Sequence, residues 1–314
     1  MAWLMKIEHF VEASVVQRPS KQIRSPYVAD VVCDNDTGNI VLAHSAALGC
    51  CGLSEKGATV WMTKIEKNVR NTTGETTPKC EYRILFSVIQ EKGQKQIIGI
   101  YPKLAEQLVE NALKRNALST LRNIRHYRRE TTIQSCISSD KTERSRFDFT
   151  GVDENGTPFI LEVKSVPLAD YEDIDKKNRK HKNYDDWEVD RKIAYFPDGF
   201  RKQTGDTISP RALKHMRELA EIKRNHTNNT NIRCIMCYVI QRTDVMCFQP
   251  SYIDTEYRNA FQEAVDAGVE MITMVIRWTD TGDAYLVRDN LDISSIRMGK
   301  RIHRVKRTGE EQIK

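Results

Sequence analysis

The chain has 314 residues, 39% hydrophobic and 29% charged, with a formal net charge of +6, so a real core lies under a densely charged surface. With no run of about 18 apolar residues and no long apolar stretch at the start, neither a membrane-spanning helix nor a secretory leader is expected. The location expected is intracellular, cytoplasmic or nuclear, where the eight cysteines read as reduced thiols rather than a disulfide frame.

The length suggests two domains, or one with additions. Residues 27–33 and 40–44 alternate like strands and flank the turn-rich Asp34-Asn35-Asp36-Thr37-Gly38-Asn39, a hairpin signature. Strands are also expected at 57–64, 82–90 and 96–101, with a polar loop at 68–79. Several short strands joined by turns suggest a small barrel, the five-stranded oligonucleotide-binding type being one candidate. The expected division is an OB-like barrel over 10–80, an α/β domain over 81–290 and a basic tail over 291–314. Trp61, Tyr27 and Tyr82 are the aromatics that would stack on bases, core packing being the commoner fate.

From Pro102 the apolar spacing turns helical, with Leu104, Leu108, Ala112 and Leu113, and continues toward Leu121. The stretch from Lys114 to Arg129 holds Lys114, Arg115, Arg122, Arg125, His126, Arg128 and Arg129 and no acid. It touches phosphate or forms a solvated face. Strands are expected at 145–152 and 158–166, then a charged insert over 170–192 forming a loop or an exposed helix. A helix over 210–224, a strand over 232–240, a helix over about 256–267 ended by Gly268, and a strand over 271–278 complete an α/β domain with a mixed sheet. Cys234 and Cys237 fall on opposite faces of their strand, poor geometry for a shared metal. The tail, with Arg297, Lys300, Arg301, Arg304, Lys306 and Arg307, is a nucleic-acid arm, a nuclear-import patch or a disordered end.

The chemistry gathers on the hairpin of residues 145–165. Glu162 and Lys164, two apart, project from one strand face, with Leu161 and Val163 on the other. A three-residue loop, Glu154-Asn155-Gly156, pairs Asp153 with Thr157. Counting back, Asp148 falls opposite Glu162, Arg146 opposite Lys164, Phe147 opposite Val163 and Phe149 opposite Leu161. That register separates apolar from charged pairs, and a one-residue slip mixes them. Two adjacent carboxylates favour a cation between them, and hard oxygen ligands suit Mg2+ or Mn2+. Asp148 and Glu162 are the metal-binding candidates. With Lys164 to orient water or stabilise charge on phosphate, they form the logic of a metal-dependent phosphodiesterase. The alternative is an edge hairpin with one solvated face. The similar pairs Asp175–Lys177, Asp190–Lys192 and Glu221–Lys223 lie in the insert or on a helix and read as solvated.

Ordered blocks resemble the sugar fermentation stimulation protein family, SfsA: residues 143–149 (Glu143-Arg-Ser-Arg-Phe-Asp-Phe149), 161–166, 195–198 and 213–219, and more weakly 247–250 and 264–270. Arg18-Pro19, residues 28–32 and His44 are similar to the family's first domain. The resemblance implies an OB-type barrel followed by a PD-(D/E)xK nuclease-like domain, DNA binding, and a link to sugar-utilisation genes. It places Asp148, Glu162 and Lys164 on the nuclease motif, Glu143 and Asp198 as accessory acids, and Arg211, Lys214 and His215 on a basic helix that holds phosphate. Arg146, Arg122 and Arg125 complete the nucleic-acid-binding candidates. His44 itself reads as a structural histidine. After it the chain has Ala47-Leu48-Gly49 where the family has asparagine–threonine–glycine. The expected function is a divalent-metal DNA nuclease. A non-catalytic DNA-binding transcriptional regulator is the alternative, and an interaction protein using the insert and tail a third. The partner is single- or double-stranded DNA, and the oligomeric state is open, a homodimer included.

Overall fold

The computed structural model describes residues 1–34, 38–46, 52–66, 80–138, 141–179, 181–197, 206–225 and 231–294. The loop Ala47-Leu48-Gly49, the whole 68–79 loop, Asp198 and the basic residues of the tail lie outside them.

A first strand, β1 (Ala2–Lys6), is followed by β2 (Phe10–Gln17), β3 (Val28–Cys33), β4 (Ile40–His44), β5 (Thr59–Lys64), β6 (Tyr82–Glu91) and β7 (Gln94–Gly99). Strands β2 to β7 make one six-stranded sheet in the order β4-β3-β2-β5-β6-β7. A parallel pairing of β4 with β6, Ala43 to Tyr82 and His44 to Arg83, brings five of them into a ring. Alternation in these strands sends Ala13, Val15, Val31, Val60, Met62, Ile84 and Ile98 into a common core. A division after residue 80 would cut this sheet, because β6 and β7 extend it to Gly99. Strand β1 belongs elsewhere.

Helix α1 (Pro102–Lys114) buries Leu104, Ala105, Leu108, Val109, Ala112 and Leu113. It stops short of the expected Leu121: Asn116 turns to φ +53, and Ala117 donates its N–H to the Ala112 carbonyl, the ending of a left-handed cap. The chain then enters β8 (His126–Ser138), a strand the sequence pattern does not predict, paired antiparallel with β9 (Lys141–Val152). Next come β10 (Pro158–Val166), β11 (Ala169–Asp170), α2 (Lys176–Arg179), β12 (Lys192–Phe196), α3 (Pro210–Asn225), β13 (Arg233–Ile240), β14 (Val245–Pro250), α4 (Thr255–Asp266), β15 (Glu270–Trp278) and β16 (Asp283–Arg288). A seven-stranded sheet runs β1-β16-β15-β13-β10-β9-β8, and β11-β12-β14 forms a third, small sheet.

The seven-stranded sheet is mixed, as expected: β10, β13 and β15 are parallel and the rest antiparallel. The parallel strand β13 is buried from Cys234 to Ile240, which explains its unbroken apolar run. One face, with Phe149, Leu161, Val163 and Cys237, packs on α1 and on Trp61, Phe86 and Ile97 of the six-stranded sheet. The other, with Ile160, Cys234, Met236 and Tyr238, packs on α3 and α4. Cys234 and Cys237 thus lie on opposite faces. No helix among the described residues is long and apolar enough to cross a membrane.

Candidate active site

The hairpin that joins β9 to β10 turns in three residues. Asp153 N–H donates to the Thr157 carbonyl at 2.9 Å and Gly156 N–H to the Asp153 carbonyl at 3.1 Å, with Gly156 at φ +85. The ladder reads Val152–Pro158, Gly151–Phe159, Thr150–Ile160 and Phe149–Leu161, the register the charge pattern requires. It then ends. The expected pairs of Asp148 with Glu162, Phe147 with Val163 and Arg146 with Lys164 do not form, because β9 diverges from β10 here while staying paired with β8. Phe147 goes into the core under α3 and α4 and Phe149 into the opposite one. Asp148 sits at this change of face. Its Oδ2 accepts the Val163 N–H at 2.7 Å, so a side chain replaces the missing main-chain partner.

Alternation along β10 directs Glu162 toward α3, where it is 2% exposed. Its Oε1 receives Lys164 Nζ from the same strand and contacts His215 Nδ1 from α3. Its Oε2 is buried with no hydrogen-bond partner. Burial pushes the Glu162 carboxyl up, but Lys164 and His215 outweigh that and hold it below the ordinary carboxylate range. At Asp148 the balance is reversed. Burial first, then the charge of Glu162, raise its pKa to about 6 against the Val163 N–H and Lys164. The charge of Glu162 acts on Asp148, and a buried Glu162 oxygen has no hydrogen-bond partner among the described residues; such a pair fits a hard cation. Mg2+ is commonly held by one or two carboxylates and keeps its remaining positions for water and phosphate. Among the described residues no group of three or more His, Cys, Asp or Glu side chains is placed to hold a metal ion, so any cage here rests on Asp148 and Glu162.

Asp148 opens onto a cleft of about 420 Å³ whose walls include Tyr101, Lys103 and Glu106 at the start of α1, Arg146 on β9 and Arg211 on α3. Arg146 is exposed and ion-paired with Glu130. Lys214 stands 3.5 Å from the buried carboxylate of Glu218. His215, expected to touch phosphate, is buried. Its ring lies 5.6 Å from that of Phe147, so it serves Glu162 instead. Arg122 is exposed, and Arg125 donates to the Glu154 carbonyl at 3.0 Å. Arg125 therefore supports the hairpin turn, and neither arginine lines the cleft. Trp61 is packed against Phe10, ring centroids 4.5 Å apart, and is no stacking platform. Tyr27 is exposed and Tyr82 half-buried. Asp198 and the side chain of Glu143 are outside the described residues.

Sequence reasoning missed Glu106, whose charge adds to the upward push on Asp148, and Glu218, buried on α3 with Ser145 donating to its Oε1. The signal for the α3 residues was present. His215 and Glu218 share the helical face of Ala212, Leu219 and Ile222, a face for core rather than solvent. Glu106 carries no such mark, because an acid one turn into a helix reads as solvated.

A family model described as "Sugar fermentation stimulation protein RE domain" matches residues 103–177 and 181–282. A sugar fermentation stimulation protein homolog of Maricaulis maris is 25% identical over 264 residues, 83% of this chain and 87% of that protein. One of Alteromonas mediterranea is 28% identical over 251 residues, 78% of this chain and 84% of that protein. The solved structure of Pyrococcus furiosus SfsA in complex with Ca2+ superposes with a TM-score of 0.65 at 18% identity, covering 94% of this chain and all of that one. That likeness is one of fold.

Proposed function

Because the chain belongs to the sugar fermentation stimulation protein family, we propose that it is a DNA-binding protein that hydrolyses phosphodiester bonds with a divalent metal ion, its second unit being PD-(D/E)xK nuclease-like. One observation carries the reading: Asp148 and Glu162 act electrostatically on each other beside Lys164, and a buried oxygen of Glu162 has no partner. The Pyrococcus furiosus protein is described as a Ca2+ complex, and Ca2+ is a hard ion of the kind that two carboxylates take. The ring of five strands supports an OB-type barrel that holds the strand near the cleft.

Asp148 and Glu162 would hold Mg2+ or Mn2+. Bound there, the ion would polarise a phosphodiester oxygen and supply a nucleophile from water at neutral pH. Lys164 fixes Glu162 through Oε1, and its ammonium group would stabilise charge that grows on phosphate. His215 holds the same carboxylate from the helix side. Lys103, Arg146 and Arg211 on the cleft wall steer the polyanion.

The test incubates the purified protein with single- and double-stranded DNA and with RNA, in Mn2+, Mg2+ or chelator. DNA cleavage that needs the metal, and is abolished in Asp148→Asn and Glu162→Gln with DNA affinity retained, is the expected result. Metal-dependent cleavage surviving in both variants removes the proposal. The second reading, a non-catalytic DNA-binding regulator, draws on the lack of a three-ligand group among the described residues. It predicts salt-sensitive binding and no cleavage with either ion.

A further inference from the structure

The six-stranded sheet gathers positive charge beside the cleft. His44, last residue of β4, is the register partner of Arg83 at the start of β6. The Arg83 guanidinium lies 5.2 Å from the centroid of the Tyr101 ring, and Tyr101 lines the cleft, as does Ala46, two residues beyond His44. Arg18 comes from the end of β2. It is pinned by the Pro26 carbonyl, which accepts its Nε–H at 2.8 Å, and by Ser54 Oγ. Ser54 in turn meets Ser45, the neighbour of His44, at 3.4 Å. Burial first, then the charges of Arg83 and Arg18, push the His44 pKa down, which favours the neutral imidazole beside the two guanidinium groups.

Among the described residues no carboxylate pairs with His44 or Arg83, and Arg83 Nε is buried without a hydrogen-bond partner. A buried guanidinium N–H that lacks an acceptor favours an anion beside it. Two guanidinium groups and an imidazole are a donor set matched to the tetrahedral oxygens of phosphate. We infer that Arg18, His44 and Arg83 form a subsite for a backbone phosphate of the DNA strand whose neighbouring linkage lies at Asp148. The assignment deepens the nuclease reading and rests on it for the path of the strand.

The test is metal-free. Fluorescence anisotropy of a labelled single-stranded oligonucleotide in chelator, over a salt series, compares the protein with Arg83→Gln, Arg83→Lys and His44→Gln. Arg83→Gln is expected to weaken binding about tenfold and to make the dependence of log K on log salt shallower by roughly 0.7, the value of one lost phosphate contact on a single strand. Arg83→Lys is expected to fall between. In the unmodified protein, the His44 imidazole NMR signals are expected to move as the oligonucleotide is added, a readout independent of how any variant folds. Unchanged affinity and salt slope in Arg83→Gln and His44→Gln overturn the assignment. So does a His44 signal that stays still at saturation, or that moves with inorganic phosphate and not with the oligonucleotide. Failure of the nuclease reading shows separately, as DNA left uncut in Mn2+.

Discussion

At Glu162 one carboxylate oxygen serves two nitrogen donors and the other serves none. On the nuclease reading, that asymmetry makes His215 a positioning residue. His215→Ala is expected to lower metal-dependent cleavage about 10- to 100-fold, the usual effect of removing a group that orients a metal ligand. The loss should fall mainly on the metal concentration needed for half-activity, which a Mn2+ titration of cleavage measures. Asp148 gives a pH signature in the metal-free protein. Its folded-state pKa, about 6, lies above the ordinary 3.8, so between roughly pH 4 and 6 the native state keeps a proton that the unfolded chain releases. Stability therefore falls as pH rises through that window, by on the order of 2–3 kcal/mol when complete. Asp148→Asn still offers an oxygen to the Val163 N–H. In chelator it should melt above the unsubstituted protein at pH 7 and alongside it near pH 4; calorimetric melting points that stay parallel across this range would refute the assignment. The closeness of Glu162 and Lys164 on one strand face was readable from alternation. The fate of His215 was not, because a histidine among basic residues looks like a phosphate contact until the buried face of its helix is traced.

At the scale of elements, the hairpin loop sets where charge meets charge, and the departure of β9 from β10 sets how. The loop was legible because glycine marks the left-handed position in a three-residue turn. The departure was not, because it depends on β8, a polar edge strand whose sequence, His126-Tyr-Arg-Arg-Glu-Thr-Thr-Ile133, has no apolar alternation to announce it. The same strand takes up the end of the basic stretch, His126, Arg128 and Arg129. Close three-strand contact is fixed by Gly151, where an added Cβ would lie 2.4 Å from the His126 carbonyl and 2.6 Å from the Phe159 ring. Gly151→Ala is expected to destabilise the protein by about 1–3 kcal/mol, read as a lower midpoint in chemical denaturation. A midpoint at or above the original would show that β8 and Phe159 can yield.

Across the whole molecule, the charged insert is tied down where the three sheets meet. Lys192 on β12 pairs with Glu91 of β6 and, at 2.9 Å, with Asp244, which Arg242 also engages at 2.6 Å. Tyr171 donates to Glu91 at 2.7 Å, and Tyr171, Tyr184 and Trp187 pack together beside it. A stretch this polar suggests a loop or an exposed helix, because partners 101 and 52 residues away leave no local pattern. Lys192→Met strands Asp244 and Glu91 beside a neutral chain, and a loss of about 3–5 kcal/mol is expected in equilibrium unfolding. Under about 1 kcal/mol, the worth of an exposed pair, would mean that Arg242 satisfies Asp244 and Tyr171 satisfies Glu91 without it.

Strand β1 closes the far edge of the seven-stranded sheet, Ala2 opposite Leu286. A ribosome therefore makes these two partners nearly 300 residues apart. The six-stranded sheet, complete once Gly99 has emerged, can settle during synthesis. The larger sheet waits with one rim open until β16 arrives, and severing the chain after α1 begins would leave each piece lacking a strand that the other carries.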